Sequence, residues 1–382
     1  MDGDRVKSSR KLGVAGVAVA VGAVATTVAV AMADPAEQRT VSSVAAAAGT
    51  TWPIVQSDAK ADQGTSLSDI ATAPDGTVWA VGGQQNVTTR KPILQRLTGG
   101  TWKDVALPAS LAPYRLQAAS ATSASNVWVA AQLNTSGDSH ALLRWTGSSW
   151  IPFSVPLGFQ PTDIATAGPD RTWAVSAMAA KYWNGAGWAD TPIGIKPRAV
   201  AAVSSASAWA VGWAIAPDGT ARPATTRWNG TSWTSVPFPD IGETVKGEVA
   251  STLQDVYAAS DDDVWAVGTA RMPDGTGKSV SRSLLAHWNG TKWTNVLGAP
   301  GTSLSKVASD GAGGIWVVSD GSTMRHRTAA GVWSDETLTR PEGTTVRASA
   351  LAVVPGTGTM WAVGTTTTDA TRWADLAHWT RN

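Results

Sequence analysis

The chain predicts an all-β fold, a seven-bladed β-propeller of four-stranded antiparallel blades, and three observations carry the prediction. Twenty-one tryptophans stand beside three tyrosines and three phenylalanines, and nineteen of the indoles fall on one repeating register. The register is a phrase close to V-W-A-V-G, a variable stretch, then L-x-x-W-x-G-x-x-W, returning every few tens of residues. Each copy divides into short β-patterned runs separated by turn residues, with no convincing helical period beyond the amino terminus. A unit of that length cannot close a core alone and must stack on its copies.

At the amino terminus, Arg5, Lys7, Arg10 and Lys11 precede an Ala/Val/Gly run from Gly13 to Met32, and Ala31-Met32-Ala33 fits the small-x-small cleavage rule. Residues 1–33 are therefore expected to be an export signal cut after Ala33. An uncleaved anchor is the alternative, although Ala and Gly make the run weakly hydrophobic. Either arrangement puts the propeller outside the cytoplasm, secreted or held at the cell surface. Residues 34–49, with an Ala-rich stretch at Val41–Ala48, read as a flexible linker, and 50–382 as the propeller.

The first ordered strand is expected to complete the last blade. Gly49-Thr50-Thr51-Trp52-Pro53-Ile54-Val55 matches Gly230-Thr231-Ser232-Trp233-Thr234-Ser235-Val236, and the chain stops at Trp379-Thr380-Arg381-Asn382, where another such strand is due. Closure of this kind removes the free edges of an open sheet.

Within each copy the first indole lies in a strand-like run, at Trp79, Trp128, Trp173, Trp209, Trp265, Trp316 and Trp361. The second falls at Trp145, Trp183, Trp228, Trp288 and Trp379, with Leu97 and Thr328 in the remaining copies. The third falls at Trp102, Trp150, Trp188, Trp233, Trp293 and Trp333, with Trp52 supplying the missing one. Asn184-Gly185, Asn229-Gly230 and Asn289-Gly290 predict tight hairpin turns between the third and fourth strands. An indole repeated at one place in every blade is what sheet packing around a ring requires, so these tryptophans are read as structural. Trp213 and Trp373 lie off the register.

Composition bounds the function. Without residues 1–33 the chain carries 26 basic and 27 acidic side chains, which argues against nucleic acid or an anionic membrane as a partner. It has no cysteine, so disulfides, thiolate chemistry and lipidation through an amino-terminal Cys are excluded.

The four-stranded copies, with a Gly-ended second strand and paired aromatics in the third and fourth, resemble kelch-type and galactose-oxidase central-domain propellers, and more closely exported propeller proteins of actinobacteria. The resemblance spans residues 50–382. It departs from the kelch pattern, since a double glycine follows the second strand at Gly82-Gly83 alone and a Trp stands in place of the Tyr. It implies a fold and carries over no catalytic residue. The copper-radical chemistry of galactose oxidase needs a Tyr–Cys cross-link, which a chain without cysteine cannot make.

No catalytic cluster or metal spacing stands out, and no cofactor is expected. His287 and His378 precede a blade Trp in L-A-H-W, while His140 and His326 are read in loops without a second ligand nearby. The best polar constellation lies ten residues before the first Trp, at Asp69, Asp163, Ala199, Asp255 and Lys306, with Gln117 and Ser349 near the same place. Asp69, Asp163, Asp255 and Lys306 are expected at the mouth of the central channel, holding neighbouring blades or a ligand. The connections between second and third strands vary most, and Arg90, Arg271, Arg325, Trp213 and Trp373 lie on or beside them. The sequence thus predicts a monomeric, non-catalytic extracellular module recognising a polysaccharide or protein through one loop-bearing face. The alternative is a carbohydrate-active hydrolase or lyase using the channel carboxylates as acid and base.

Overall fold

The computed structural model describes residues 51–58, 64–84, 91–109, 114–133, 140–155, 159–242, 251–276, 278–368 and 374–381. The expected signal, the linker, Arg90 and Trp373 lie outside the described residues.

Seven sheets form the blades, each an antiparallel meander. Blade 1 uses Thr65–Thr72, Val78–Gln84, Pro92–Thr98 and Thr101–Asp104. Blade 2 uses Tyr114–Ser123, Asn126–Leu133, His140–Trp145 and Trp150–Val155, and blade 3 uses Pro161–Gly168, Arg171–Ser176, Ala180–Trp183 and Trp188–Thr191. Blade 4 uses Lys196–Ser204, Ser207–Ile215, Ala221–Trp228 and Trp233–Val236, and blade 5 uses Thr252–Ser260, Asp263–Pro273, Ser279–Trp288 and Trp293–Pro300. Blade 6 uses Leu304–Ser309, Ile315–Ser319, Thr323–Arg327 and Trp333–Leu338. Blade 7 uses Thr344–Val353, Met360–Thr368 and Ala374–Arg381, and its outer strand is Ile54–Asp58 from the amino-terminal side. The shared last blade is therefore present.

Closure involves two blades. Pro53 has no N–H and breaks the ladder, so Ile54–Asp58 pairs antiparallel with the last strand while Thr51–Trp52 adds in parallel to the outer strand of blade 6. Thr339 joins the three segments: its N–H and hydroxyl donate to the Trp52 carbonyl, and its hydroxyl oxygen accepts from Ile54 N–H. Trp52 is 0% exposed. Its Nε1 donates to Glu336 Oε2 at 2.8 Å, and Arg381 Nε donates to the same buried carboxylate.

The indoles interlock successive blades. Trp79 meets Trp145 and Trp150 of blade 2 with centroids 6.1 and 5.9 Å away, and Trp128 meets Trp183 and Trp188 of blade 3. Trp173 meets Trp228, Trp209 meets Trp288 and Trp293, and Trp361 meets Trp102. Trp316 of blade 6 packs edge-on against Trp52 at 5.2 Å, the contact that blade 7 owes it. Several of these pairs are T-shaped, the geometry in which the positive edge of one ring meets the negative face of another.

Two assignments in the register change. The second indole stands opposite the residue before the first, as Trp145 opposite Val127 and Trp288 opposite Val264. By that criterion the position is held by Arg327 in blade 6 and Arg381 in blade 7, not by Thr328 and Trp379. The physical substitute is a flat cation: Arg327 lies 4.9 Å from the Trp265 ring and Arg381 5.1 Å from the Trp316 ring. Eighteen indoles, not nineteen, keep the register. Trp379 is buried two residues earlier and donates Nε1 to the Thr339 carbonyl.

In six of the seven blades the first indole is also faced, across the ladder, by a planar or cationic side chain, the exception being Thr380 opposite Trp361. Arg96, Arg144 and Arg227 lie over Trp79, Trp128 and Trp209, while His287 and His326 stack on Trp265 and Trp316 at 4.0 and 4.4 Å. His326 therefore sits in a strand and shares the position of His287, and each imidazole bonds a carboxylate, Asp310 and Asp263 respectively. His378 occupies a different place, buried against Trp102.

The turns also differ from expectation. The Asn-Gly hairpins are four-residue loops closed between paired tryptophans such as Trp228 and Trp233, with Asn229 Oδ1 accepting from the Thr231 and Ser232 N–H groups. The glycine alone takes the positive angle, φ 98° at Gly230, whereas a two-residue turn would need it at Asn as well. The glycine ending V-W-A-V-G has another cause. A Cβ on Gly82 would meet the Ser66 carbonyl oxygen at 2.0 Å, and Gly212, Gly268 and Gly364 meet equivalent carbonyls.

Candidate functional site in the central channel

Each innermost strand carries a β-bulge at one level, and the residue that follows it points into the channel. Ladder pairing with the residue two after the first Trp gives the ring as Asp69, Ala118, Asp163, Ala199, Asp255, Lys306 and Ala350 in blades 1 to 7. Sequence reasoning found five of these seven and placed Gln117 and Ser349 where Ala118 and Ala350 stand. Gln117 instead donates from Nε2 to Gln132. A plain ten-residue count back from Trp128 reaches Ala118, while blade 7 has one extra residue in its turn.

The alternation of Asp with Ala has a structural reason. Asp69 Oδ2 accepts from Ala119 N–H of blade 2 at 2.8 Å, Asp163 Oδ2 from Val200 N–H of blade 4 at 2.8 Å, and Asp255 Oδ2 from Val307 N–H of blade 6 at 2.9 Å. Each carboxylate reaches the amide just after the next blade's ring position, and in blades 2 and 4 the Ala there leaves it room. Asp163 Oδ1 also accepts from Ile164 N–H at 2.8 Å. The bulge frees the amides that these oxygens bind.

The ring lies in a cavity of about 280 Å³ lined by all seven innermost strands. The cavity continues along the same strands into a wider stretch of about 670 Å³, rimmed by the first-to-second strand turns at Pro74, Gly311, Pro355 and Gly356. The channel is thus a funnel with walls of Ala, Val and Thr and one tyrosine, Tyr257. The charged ring sits at its narrow end, and the funnel widens away from the face that carries the second-to-third strand connections.

The four charged side chains keep some accessible area because they border the cavity, yet protein encloses them, and that enclosure governs their titration. Burial raises Asp69 to about 6, offset in part by Lys306. Burial and then the Asp69 charge raise Asp163 to about 8. Burial raises Asp255 too, although Lys306 opposes it, and Asp255 in turn holds the lysine above its usual range. Among the described residues no carboxylate lies within 4.0 Å of the Lys306 ammonium. No group of three His, Asp or Glu among the described residues is placed to hold a metal ion.

Asp163 makes the stability of the fold depend on pH. Its folded value is raised above its unfolded one, so the stability it contributes is full below pH 3.8 and lost as pH rises toward about 8. Asp163→Asn should therefore gain on the parent chain as pH rises through that window, by at most about 1.4 kcal/mol per pH unit. Denaturant midpoints of both proteins across the window check the sign, and a difference that shrinks with rising pH contradicts it.

The loop candidates among the described residues, Trp213, Arg271 and Arg325, are tied into the frame. Trp213 is 8% exposed, with the Lys196 ammonium 4.9 Å from its ring, so its indole offers no open face. Arg271 Nη2 donates to Ser279 across its hairpin. Arg325 is in a strand rather than a loop, with Nε donating to Asp335 at 2.8 Å and its guanidinium over Trp333. Blades 4 and 5 carry similar turns between their second and third strands, Pro217-Asp218-Gly219-Thr220 and Pro273-Asp274-Gly275-Thr276, in which Asp218 and Asp274 accept from the N–H two residues on.

These features define the class: a seven-bladed β-propeller whose blades are latched through its channel and whose ring is closed by its own amino-terminal strand. No protein-family model matches the chain, and no curated protein matches it. Solved structures do. It is similar to YCF48 bound to D1 peptide, with a TM-score of 0.57 and 15% identity over 89% of this chain and 98% of that one. YCF48 from Cyanidioschyzon merolae gives 0.52 and 14% over 86% and 98%, and the C-terminal WD40 domain of Sif2 gives 0.50 and 10% over 87% and 100%. At these identities the likeness is one of fold, and it runs to YCF48 and WD40 propellers rather than to the kelch and galactose-oxidase propellers of the sequence resemblance.

Proposed function

We propose that this chain is a non-catalytic protein-interaction module, exported from the cytoplasm, that recognises a polypeptide through the face bearing the second-to-third strand connections. The observation that carries the reading is the fate of the candidate carboxylates. Asp69, Asp163 and Asp255 each hold a backbone amide of the next blade. A hydrolase needs an acid and a base free to exchange protons with a sugar oxygen, and groups committed to the frame favour binding over turnover. Variable connections on a rigid ring are how such scaffolds acquire specificity. The similar YCF48 propeller carrying a D1 peptide supports a polypeptide over a polysaccharide as the partner class.

The test is to pan the purified protein against a random-peptide library and a glycan array. Enriched peptides that bind with no glycan hits are expected. Glycan binding without peptide binding, or turnover of a glycan that Asp163→Asn abolishes, would overturn the reading.

A further inference from the structure

The funnel is not accounted for by the latches. They hold each carboxylate against the wall through backbone amides, with both oxygens of Asp163 engaged, whereas Lys306 is enclosed, borders the cavity and has no carboxylate within 4.0 Å among the described residues. Around the ring the charge is uneven. Asp255 and Lys306 belong to adjacent blades and offset each other, but Asp69 and Asp163 are separated by Ala118 and have an alanine, not a cation, in the next blade. An enclosed ammonium needs an acceptor, and Asp69 and Asp163, which Lys306 offsets only in part, are served by a second cation.

We infer that the funnel admits the free amino terminus of a polypeptide, its α-ammonium meeting Asp69 and Asp163 and its first carbonyl accepting from Lys306. One ligand supplies both groups because the α-nitrogen and the adjacent carbonyl are three bonds apart. A lysine side chain carries the cation without an acceptor beside it, and a carboxylate ligand would answer Lys306 alone. The walls of Ala, Val and Thr suit an extended segment with small side chains. Entry is from the turn face, so this site stands independently of recognition on the opposite face.

The pH dependence has a fixed sign. The charged and titratable groups facing the ligand are Asp69, Asp163, Asp255 and Lys306 at the floor and Tyr257 on the wall, whose hydroxyl bonds Ser309. Asp69 and Asp163 are held protonated as pH falls below about 6 and about 8 respectively, so affinity should fall with acidification.

The experiment titrates Ala-Ala-Ala-amide, N-acetyl-Ala-Ala-Ala-amide and n-butylamine into the full chain, with calorimetric or NMR readout. We expect the free-amine peptide to bind at least about ten-fold more tightly than the acetylated one and than n-butylamine. The preference should shrink between about pH 7.5 and about pH 5. Lys306→Met and Asp69→Asn should each weaken the free-amine peptide about ten-fold while sparing the library peptides that bind the other face. Equal binding of the free and acetylated peptides, or no binding of either at about 10 mM, overturns the inference. Those comparisons use the unaltered chain, so they decide the matter even where a substituted chain fails to fold. n-Butylamine binding as tightly as the peptide also overturns it, because a side-chain ammonium would then be sufficient.

Discussion

A chain lacking residues 34–58 should lose the cooperative melting transition of the full protein or melt far lower. The deletion removes the outer strand of blade 7 and the parallel strand on blade 6 in one cut. It empties the site of Trp52, which is 0% exposed and meets Trp316 at 5.2 Å. Losing one buried indole costs about 3–5 kcal/mol. Thr339 loses the carbonyl of Trp52 and the amide of Ile54 at the same time. The sum approaches the whole stability of an ordinary domain, about 5–15 kcal/mol. Calorimetry or circular dichroism on both proteins is the check. A truncated protein that melts like the full one would mean the ring closes without its amino-terminal strand.

Trp209→Ala should cost about 3–5 kcal/mol of unfolding free energy. The ring is 0% exposed, lies beneath the Arg227 guanidinium and meets both Trp288 and Trp293 of blade 5. The loss is an inter-blade contact as well as buried area, so the vacated space lies between two sheets that cannot easily collapse together. Trp265→Ala should cost less, since blade 6 presents Arg327 to it and the indole is 8% exposed. Denaturant midpoints order the two variants, and an unchanged midpoint for Trp209→Ala would contradict the packing role.

The two expectations differ in how they could be read. The first rests on a match between Thr51-Trp52-Pro53 and the fourth strand of blade 4, visible as a string of letters. The pairing of Thr51–Trp52 with blade 6 was not visible, because a parallel two-residue ladder leaves no pattern and Pro53 reads equally as a turn. Similarly, Trp379 looked like a register indole because it follows L-A-H. Its true place depends on the ladder, in which Arg381 is the residue opposite Met360. Arginine in place of tryptophan breaks a motif based on letters while preserving a flat surface on the neighbouring indole.

The charged ring divides in the same way. Spacing from the first Trp identified Asp69, Asp163, Asp255 and Lys306, because period sets which residue of each inner strand reaches the axis. It did not reveal that each aspartate binds the following blade, since amide direction at a bulge is a property of pairing. Nor did it reveal that the wide end of the channel opens toward the first-to-second strand turns.

The sequence by itself determined the blade count, the strand order within a blade, the shared seventh blade and the indole core, because period and alternation are local and repeat seven times. Tertiary structure decided which groups meet across blade boundaries: Arg327 on Trp265, Glu336 beneath Trp52, and the three carboxylates on amides of the next blade. Those contacts join residues about 40 to nearly 300 positions apart, and only the geometry of the closed ring brings such residues together.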